Sequence, residues 1–339
     1  MAADDTAQDS PGEAKRIYDR RFLAAPRLLV EDGKFSYGCF DGPPSRANML
    51  DAENLYSLKL PRWAKNLRCK EWLAFQLGDD RFFIFSALYD AKSFGLALFQ
   101  VWDRLEKKAY EIKRLLPLRR MGLAEALDGQ ELAFRDSVAH IGYRCDLSAG
   151  EILVRAEKKA FGKQPGFEGQ FKLAYNARQS AVSSVCLPLG LNRAMYSTKA
   201  FMPLEGWLGI GGERHAFAAS DSMGVMDDHK GYYPYRMSYD WVTGFGKDAK
   251  GRRVGFNLTD NQVRDQVSYN ENTLWINTRV FPLPPVKITR PYGPQGEWHI
   301  QDTEGLVDLL FRPEKPNDVE VNALLDRKST RLNSSHRIR

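Results

Sequence analysis

Long hydrophobic runs are absent from this 339-residue sequence, and their absence argues against a helical membrane protein. The densest apolar stretch, Phe82–Leu88, has the length of a strand, whereas a membrane-spanning helix needs roughly 20 apolar residues. The first residues, Met1–Ala14, are acidic and polar and contain no apolar segment typical of a signal peptide. We therefore expect no transmembrane segment and a cytoplasmic location.

Cysteine is scarce and scattered. The four cysteines are Cys39, Cys69, Cys145 and Cys186, and no C-x-x-C pair or Cys/His cluster occurs among them. Zinc sites need such clusters at short spacing, so we expect no metal. Free thiols in a reducing compartment are the favoured interpretation.

Motifs of the common cofactor-dependent and hydrolytic enzymes are also missing. The sequence has no P-loop, no H-E-x-x-H and no G-x-S-x-G. The glycine-rich segment Gly209–Arg214 lacks the third glycine of a dinucleotide loop and any helical pattern after it, so it predicts a hairpin turn. We expect no cofactor.

The net positive charge of the sequence is small once the C-terminal residues are left out. Asp326–His336 (DRKSTRLNSSH) is the literal translation of a common sequencing-library adapter, so we interpret Asp326–Arg339 as an artefact outside the fold. That segment holds five basic residues and one acidic residue, and without it the net charge of +6 becomes +2. The other basic residues are interleaved with acidic ones, which is typical of a solvated surface. We expect no nucleic-acid partner.

What the sequence does contain is a series of short strand-like runs separated by turn residues. Glu71–Leu77 and Arg81–Tyr89, for example, flank a Gly-Asp-Asp turn and predict a hairpin. Leu105–Leu118 fits a helix only loosely, and we favour a turn and a strand there. Residues 1–26 are predicted to be disordered or, over Gly12–Ala25, to form a short helix that Pro26 ends. Many short strands without α/β alternation predict an all-β fold.

The most informative stretch is Asp228–Trp275, where aromatic residues alternate with Arg, Asp and Asn. In Arg236–Val242, one strand face would carry Tyr239 and Trp241 and the opposite face Arg236 and Asp240. Arg253–Thr259 has the same two-sided pattern, with an apolar face opposite a face that contains Asn257. A buried polar side chain must be paired or hydrogen-bonded, so this stretch predicts either a tightly connected part of a barrel or a ligand site.

The same stretch resembles a bacterial family known only as domain of unknown function 2804. The segments that carry the resemblance are Asp228–Gly231 (D-x-x-G), Tyr235–Trp241 (Y-x-x-x-x-x-W), Val254–Thr259 (VGFNLT), Glu271–Trp275 (ENTLW), Gly305–Pro313 (GLVDLLFRP) and, upstream, Lys70–Arg104. The resemblance spans roughly Arg27 to Pro313. The family is similar in turn to the lipocalin-like double barrels of carotenoid hydratases and some cyclisation enzymes, whose D-x-x-W-G motif has Trp where this chain has Lys230.

The resemblance implies two lipocalin-like antiparallel β-barrels. We place the first barrel at residues 27–188 and the second at residues 189–325, with the boundary near the Pro- and Gly-containing segment Cys186–Asn192. The sequence shows no convincing internal repeat between the two halves.

Candidate catalytic residues are Asp228, His229 and Tyr232. A carboxyl group beside an apolar aromatic pocket can have a raised pKa and act as a general acid, so Asp228 is the candidate acid, assisted by His229 or Tyr232. The run D-D-H-K-G is also typical of a turn, and a turn at a barrel mouth could serve both purposes.

Candidate ligand-binding residues share polar or aromatic character within the same stretch: Arg236, Tyr239, Asp240, Trp241, Asn257, Glu271 and Trp275. Arg236 and Asp240 are too far apart on one strand to pair, so each is expected to find a cross-strand partner such as Glu271 or Asn257. The structural alternative is a buried polar network that fixes strand register.

These patterns favour a protein that binds, and in the enzymatic case converts, an apolar small molecule such as a polyene, lipid or polyketide. The expected chemistry is metal-free proton transfer, as in hydration, isomerisation or cyclisation. Two alternatives remain open: a non-catalytic scaffolding protein whose aromatic residues are core, and a carbohydrate-binding β-sandwich, which exposed coplanar aromatic rings would favour.

Overall fold

The computed structural model describes residues 20–117, 121–234, 239–261, 263, 265–313, 318–323 and 326–331. In chain order, its strands are β1 (Val30–Glu31), β2 (Lys34–Phe35), β3 (Gly38–Phe40), β4 (Lys70–Gly78), β5 (Phe82–Asp90), β6 (Phe94–Asp103), β7 (Lys108–Pro117), β8 (Gln130–Arg135), β9 (Ala139–Asp146), β10 (Glu151–Lys158), β11 (Phe167–Ala174), β12 (Ala181–Gly190), β13 (Arg193–Ile210), β14 (Glu213–Phe217), β15 (Met223–Gly231), β16 (Asp240–Lys247), β17 (Arg253–Asp260), β18 (Thr273–Ile276), β19 (Arg279–Pro282), β20 (Val286–Thr289), β21 (Trp298–Asp302), β22 (Asp308–Phe311), β23 (Asp318–Ala323) and β24 (Asp326–Arg331). The helical elements of these residues are α1 (Arg62–Arg68) and two 3-10 turns, Met49–Asp51 and Leu55–Ser57. The all-β prediction is confirmed.

Alternation of apolar and polar residues explains why many of these segments are strands. In β8, Gln130, Leu132 and Phe134 are buried and the residues between them are exposed. A strand sends successive side chains to opposite faces, so this pattern places one face on a core and the other in water. By contrast, β15 is buried at every position, because it is covered on both faces.

Thirteen strands form one large sheet. Its main path runs β7-β6-β5-β4-β15-β13-β11-β10-β9-β8, with β3, β12 and β14 attached beside β13 or β12. The 18-residue strand β13 carries this branching, because its first half pairs with β12 and β15 whereas its second half pairs with β11 and β14. Strands on the main path curve around a single large core that includes Phe75, Phe99 and Phe171.

A four-stranded sheet, β16-β17-β18-β19, covers the outer face of the large sheet. Ring contacts mark the packing, since Phe83 of β5 stacks on Phe245 of β16 at 6.2 Å, and Phe201 of β13 stacks on Trp275 of β18 at 5.8 Å. The three-stranded sheet β20-β21-β22 packs on the far side of β16 and β17 through a separate apolar cluster that includes Leu258. The outer face of β15 is therefore buried between the large sheet and the four-stranded sheet.

Several local predictions are confirmed. The hairpin after Gly78, the strand within Leu105–Leu118, the turn in Gly209–Arg214 and the strand over Arg253–Thr259 are all present. At the predicted glycine turn, Gly211 and Gly212 have φ values of +58° and +94°, which glycine adopts without strain.

Three local predictions are wrong or incomplete. Asp228–Gly231 is not a turn but the end of β15, because pairing with β4 and β13 and burial on both faces outweigh the turn preference of Asp and Gly. Residues 20–25, the described end of the expected helix Gly12–Ala25, are not helical, and the rest of that segment lies outside the described residues. Helix α1 was not anticipated.

The domain division stays a prediction. The expected boundary, between residues 188 and 189, falls within the last residues of β12, and the large sheet continues across it. That the strands form two barrels also stays a prediction. The C-terminal segment takes part in one hairpin, in which β24 pairs with β23 in a two-stranded sheet.

Candidate functional site

Strand β15 separates two buried polar groups, because its side chains alternate between the inner core and the covering sheet. Asp227 and His229 face the four-stranded sheet. Asp228 and Lys230 face the opposite direction, toward the inner side of the large sheet. Asp228 and His229, which were expected to act together, project from opposite faces of one strand.

The side chains on the covered face form what we call the Lys199 cluster: Trp72, Ser197, Lys199, Asp227, His229, Tyr233, Thr259 and Glu271. Trp72 comes from β4, Ser197 and Lys199 from β13, and Asp227 and His229 from β15. Thr259 and Glu271 belong to the covering sheet and the loop that precedes β18. The cluster thus connects both layers.

Lys199 is the centre of the cluster. Its Nζ lies 2.8 Å from Asp227 Oδ1 and 3.1 Å from Glu271 Oε2, and it donates to Ser197 Oγ at 2.9 Å. Burial lowers the pKa of Lys199, but the two carboxylates outweigh it and leave the pKa above its usual value. The side chain therefore stays charged, although only 5% of it is exposed.

Asp227 stays ionised for the complementary reason. Burial would raise its pKa, but Lys199, His229 and the hydrogen bond from Trp72 hold the pKa below its usual value. Trp72 Nε1 donates to Oδ2 at 3.0 Å, and Ser197 Oγ donates to Oδ1 at 2.8 Å. Both carboxylate oxygens are thus fixed by donors.

His229 lies between Asp227 and Tyr233. Its Nδ1 is 3.9 Å from Asp227 Oδ1, its Nε2 is hydrogen-bonded to the Tyr233 hydroxyl, and its ring stacks on Trp72 at 3.7 Å with an interplanar angle of 9°. Gly231 permits this arrangement, because a Cβ there would come within 2.7 Å of the Tyr233 ring. The glycine of D-x-x-G therefore makes room for a side chain of the site.

The outer edge of the cluster is aromatic and partly open. Trp72 and Trp241 are partly exposed, and Lys199 Nζ lies 5.5 Å from the centre of the Trp241 ring. Trp241 Nε1 donates to Asn257 Oδ1 at 2.6 Å, and Asn257 in turn donates to the Glu271 backbone carbonyl at 2.9 Å. Tyr239 is 41% exposed, yet burial of its hydroxyl, together with Glu271 and Asp227, raises the pKa of Tyr239 to about 12.

Asp228 has a different environment on the inner side. Burial, aided by Asp227 and Glu71 and opposed by Lys230, raises the pKa of Asp228 to about 6. Its carboxyl group interacts with the Tyr196 hydroxyl, and Lys230 lies 3.0 Å from Glu71 Oε1. The geometry keeps Asp228 a candidate acid, but one that does not share a surface with His229.

The remaining predicted residues are dispersed. Tyr232 is fully buried, and its hydroxyl donates to the Met49 carbonyl at 3.1 Å. Asp240 pairs with Arg290 rather than with Glu271 or Asn257. Trp275 is fully buried against Phe201, and Arg236 lies outside the described residues. The structure thus brings together His229, Tyr239, Trp241, Asn257 and Glu271 from the predicted set.

Six residues of the cluster were not predicted as site residues from the sequence: Trp72, Ser197, Lys199, Asp227, Tyr233 and Thr259. One signal was available for Lys199, because the only charged residue within the strand-like run Ala194–Met202 must find a partner if it is buried. No local pattern could have paired it with Asp227, because the two are joined only by the register of β13 with β15, in which Lys199 lies opposite Asp227.

Other features of the described residues lie elsewhere. A cavity of about 390 Å³ opens between the loop after β11 and the turn before β19, lined by residues that include Tyr175, Ser180, Val182 and Val280. No group of three or more His, Cys, Asp or Glu side chains in the described ranges has metal-binding geometry. No helix there is long and apolar enough to cross a membrane. The four cysteines are buried and free.

Comparison with known proteins gives a family and distant structural likenesses. The model of the family described as "Domain of unknown function (DUF2804)" matches residues 20–331. No curated protein matches the chain. Solved structures with similarity include a protein assigned as AttH from Nitrosomonas europaea, at 13% identity, TM-score 0.40, over 79% of this chain and 89% of that one. Kievitone hydratase from Nectria haematococca follows at 11% identity, TM-score 0.40, over 80% and 83%. CghA has 10% identity and TM-score 0.36 over 82% and 80%.

Proposed function

The chain belongs to the DUF2804 family, as its motifs predicted, and because that name assigns no activity, we propose a function from the Lys199 cluster: binding of a small molecule with an apolar body, and its conversion by proton transfer. The observation that carries the proposal is the order Asp227, His229, Tyr233. An ionised carboxylate, an imidazole and a hydroxyl follow one another beside a partly open aromatic edge. An imidazole that is hydrogen-bonded to a hydroxyl and lies near a carboxylate can support general acid–base catalysis.

Each member of this series has a distinct role. Asp227, held ionised by Lys199, lies 3.9 Å from His229 Nδ1 and favours the imidazolium form of His229 through its charge. His229 takes up and returns the proton. Tyr233 has a pKa raised well above its usual value by burial and nearby acidic groups, so it acts as a neutral hydrogen-bond partner that carries the proton toward the ligand.

Charge within the cluster favours one type of reaction. The carboxylates of Asp227 and Glu271 outnumber the ammonium group of Lys199, so a positive charge that develops nearby is stabilised. Protonation of an alkene develops such a charge, and addition of water or closure of a ring would follow. Hydration, isomerisation and cyclisation of an alkene are therefore the favoured reaction classes.

Aromatic side chains favour an apolar ligand. Trp72, Trp241 and Tyr239 frame the edge of the cluster, and aromatic frames with few polar groups are typical of small-molecule sites. The coplanar rings of Trp72, His229 and Tyr233 lie at interplanar angles of 9–10°, but His229 and Tyr233 are only 4% and 6% exposed. An open carbohydrate-binding platform would need such rings at the surface.

Two adjacent tyrosines give a matched test. Tyr233→Phe removes the hydroxyl that contacts His229, whereas Tyr232→Phe removes a buried hydroxyl that contacts only the Met49 carbonyl in the described structure. Small molecules that co-purify with the protein would be identified by native mass spectrometry. Binding would be followed by quenching of tryptophan fluorescence with all-trans-retinol, and conversion of the co-purified compound by liquid chromatography and mass spectrometry.

We expect Tyr233→Phe and His229→Gln to retain binding and to slow conversion about 10²–10⁴-fold, the usual contribution of general acid–base catalysis. Tyr232→Phe should convert at the wild-type rate. Unchanged conversion in Tyr233→Phe and His229→Gln would remove the chemistry from this face, and a parallel loss in Asp228→Asn would assign it to the inner side. Absence of both bound molecules and quenching would favour the scaffolding alternative.

A further inference from the structure

Helix α1 and the residues before it present apolar side chains that the described structure leaves uncovered. Trp63 and Leu67 are 68% and 43% exposed, and Leu58 is 57% exposed. Residues four apart lie on the same side of a helix, so Trp63 and Leu67 project together. Exposed apolar groups that cluster in this way mark surfaces of interaction.

The turn between β12 and β13 brings a fourth apolar side chain to this region. Leu191 is 72% exposed, and its neighbour Asn192 donates from Nδ2 to the Asn54 carbonyl at 3.3 Å. The guanidinium groups of Arg193 and Arg68 lie 5.1 and 5.2 Å from the centre of the Tyr56 ring. Tyr56 therefore joins the turn to α1. We call Leu58, Trp63, Leu67 and Leu191 the Trp63 surface.

Basic side chains border the Trp63 surface without matching acids. The segment 54–70 contains five basic residues and no Asp or Glu. Arg62 is compensated by Asp51 at 2.7 Å and by Glu125 at 3.3 Å. Within the described parts of the chain, no carboxylate pairs with Lys59, Arg68 or Arg193. The surface thus combines exposed apolar groups with uncompensated positive charge.

We propose that the Trp63 surface docks on an anionic lipid bilayer. Trp and Leu side chains bury in the interface between headgroups and acyl chains, where Trp is enriched, while Lys and Arg beside them attract the negative charge of the lipids. An acidic protein is less favoured, because Trp and Leu side chains beside Lys and Arg are the combination with which peripheral proteins anchor in a bilayer interface.

This inference stands independently of the proposed function. One contact joins the two regions, because the hydroxyl of Tyr56, which lies beside this surface, donates to the Tyr233 backbone carbonyl at 3.4 Å.

The test is co-sedimentation of the full chain with large unilamellar vesicles. Vesicles of phosphatidylcholine alone would be compared with vesicles that contain about a third phosphatidylserine. We expect binding to the anionic vesicles, weak binding to the neutral ones, and a decrease of binding with rising salt. Trp63→Ser combined with Leu67→Ser should weaken binding roughly 10-fold or more. Lys59→Gln and Arg68→Gln should each weaken it about 5-fold.

A matched control uses exposed apolar residues of the small three-stranded region. Tyr292 and Leu310 are 75% and 59% exposed, so Tyr292→Ser with Leu310→Ser removes comparable apolar area elsewhere and should bind like the wild type. Melting temperatures of all variants would verify folding. Trp63→Phe adds a specific readout: it should keep binding but lose most of the fluorescence quenching by brominated lipids, although six other tryptophans remain.

Three outcomes would overturn the proposal. The first is a folded wild-type protein that ignores anionic vesicles. The second is equal binding by the Trp63/Leu67 variant and the Tyr292/Leu310 control. The third is binding to polyglutamate but not to vesicles, which would assign the surface to an acidic protein.

Discussion

Lys199→Met is the perturbation whose result the structure constrains most tightly. Lys199 neutralises two buried carboxylates, Asp227 and Glu271, whose side chains are 6% and 8% exposed. Methionine fills similar space but removes the ammonium group that both carboxylates share, so Asp227 retains only the His229 ring, whose Nδ1 is 3.9 Å from Oδ1. Removal of one partner from a buried ion pair typically costs about 3–5 kcal/mol, so we expect a loss in the upper part of that range in the free energy of unfolding.

Asp227→Asn should cost less, because Lys199 retains Glu271 at 3.1 Å. The amide also retains an acceptor for Trp72, so the loss should be roughly 1–3 kcal/mol, the scale of impaired hydrogen bonds to a charged group. Lys287→Met is the matched surface control. That lysine is 75% exposed and pairs with Asp260 at 3.1 Å, and an exposed pair of this kind contributes under about 1 kcal/mol.

The pH dependence of the free energy of unfolding gives a second, independent test. In the wild type, Asp227 has a lowered pKa, so its contribution to stability is present above the unfolded value of about 4 and is lost as pH falls through the lower folded pKa. In Lys199→Met, Asp227 loses the largest influence that lowers its pKa, so burial raises that pKa and stability is lost as pH rises above about 4. Between about pH 5 and pH 7, acidification should therefore stabilise the variant more than the wild type, in which Asp228, with its pKa of about 6, already contributes a gain that both proteins share.

Urea denaturation from pH 5 to pH 8 would measure both effects. Equal losses for Lys199→Met and Asp227→Asn would refute the assignment of Lys199 to two carboxylates. Parallel pH profiles for the wild type and Lys199→Met would refute the burial of those carboxylates as charged groups.

The other predictions concern separate parts of the chain. Asp228 has a pKa of about 6, above its unfolded value, so its ionisation destabilises the fold as pH rises through 6. In denaturation experiments, Asp228→Asn should therefore raise the free energy of unfolding by roughly 2–3 kcal/mol at pH 8 and by little at pH 4. Trp241→Phe should reduce the quenching of tryptophan fluorescence by retinol, and an unchanged quench would remove Trp241 from the ligand edge. Deletion of Asp326–Arg339 should move the melting temperature by no more than about a degree. The reason is that β24 pairs only with β23 in the described structure, and an isolated two-stranded hairpin is marginally stable. A loss of several degrees would contradict this prediction.

Much of the strand content was predictable, because it is local. The alternation in Arg253–Thr259 correctly separated the two sides of β17. On the apolar side, Leu258 packs against the three-stranded sheet, and on the polar side, Asn257 and Thr259 meet the Lys199 cluster. Turn glycines located the hairpins after β4 and β13 in the same way. Family membership was also recognisable, because the order of short motifs is preserved along the chain.

The site was less predictable, because burial on both faces removes the alternation signal. Asp227 and Asp228 are adjacent acidic residues in a run that is typical of a turn, and only pairing with strands distant in sequence shows that they belong to different environments. Lys199 and Glu271 are 72 positions apart in the sequence. Their proximity depends on how the four-stranded sheet packs on the large one, which no local pattern encodes.

The opposite directions of Asp227 and Asp228 have a consequence for how β15 finds its neighbours during folding. A slip of one residue would turn Asp228 and Lys230 toward Lys199 and would turn Asp227 and His229 toward the inner core. Every such slip buries charges without their partners, at a cost of several kcal/mol, so the charges select one alignment with β4 and β13. Insertion of a single residue within Met223–Gly231 should therefore prevent folding, whereas the same insertion between β23 and β24 should be tolerated.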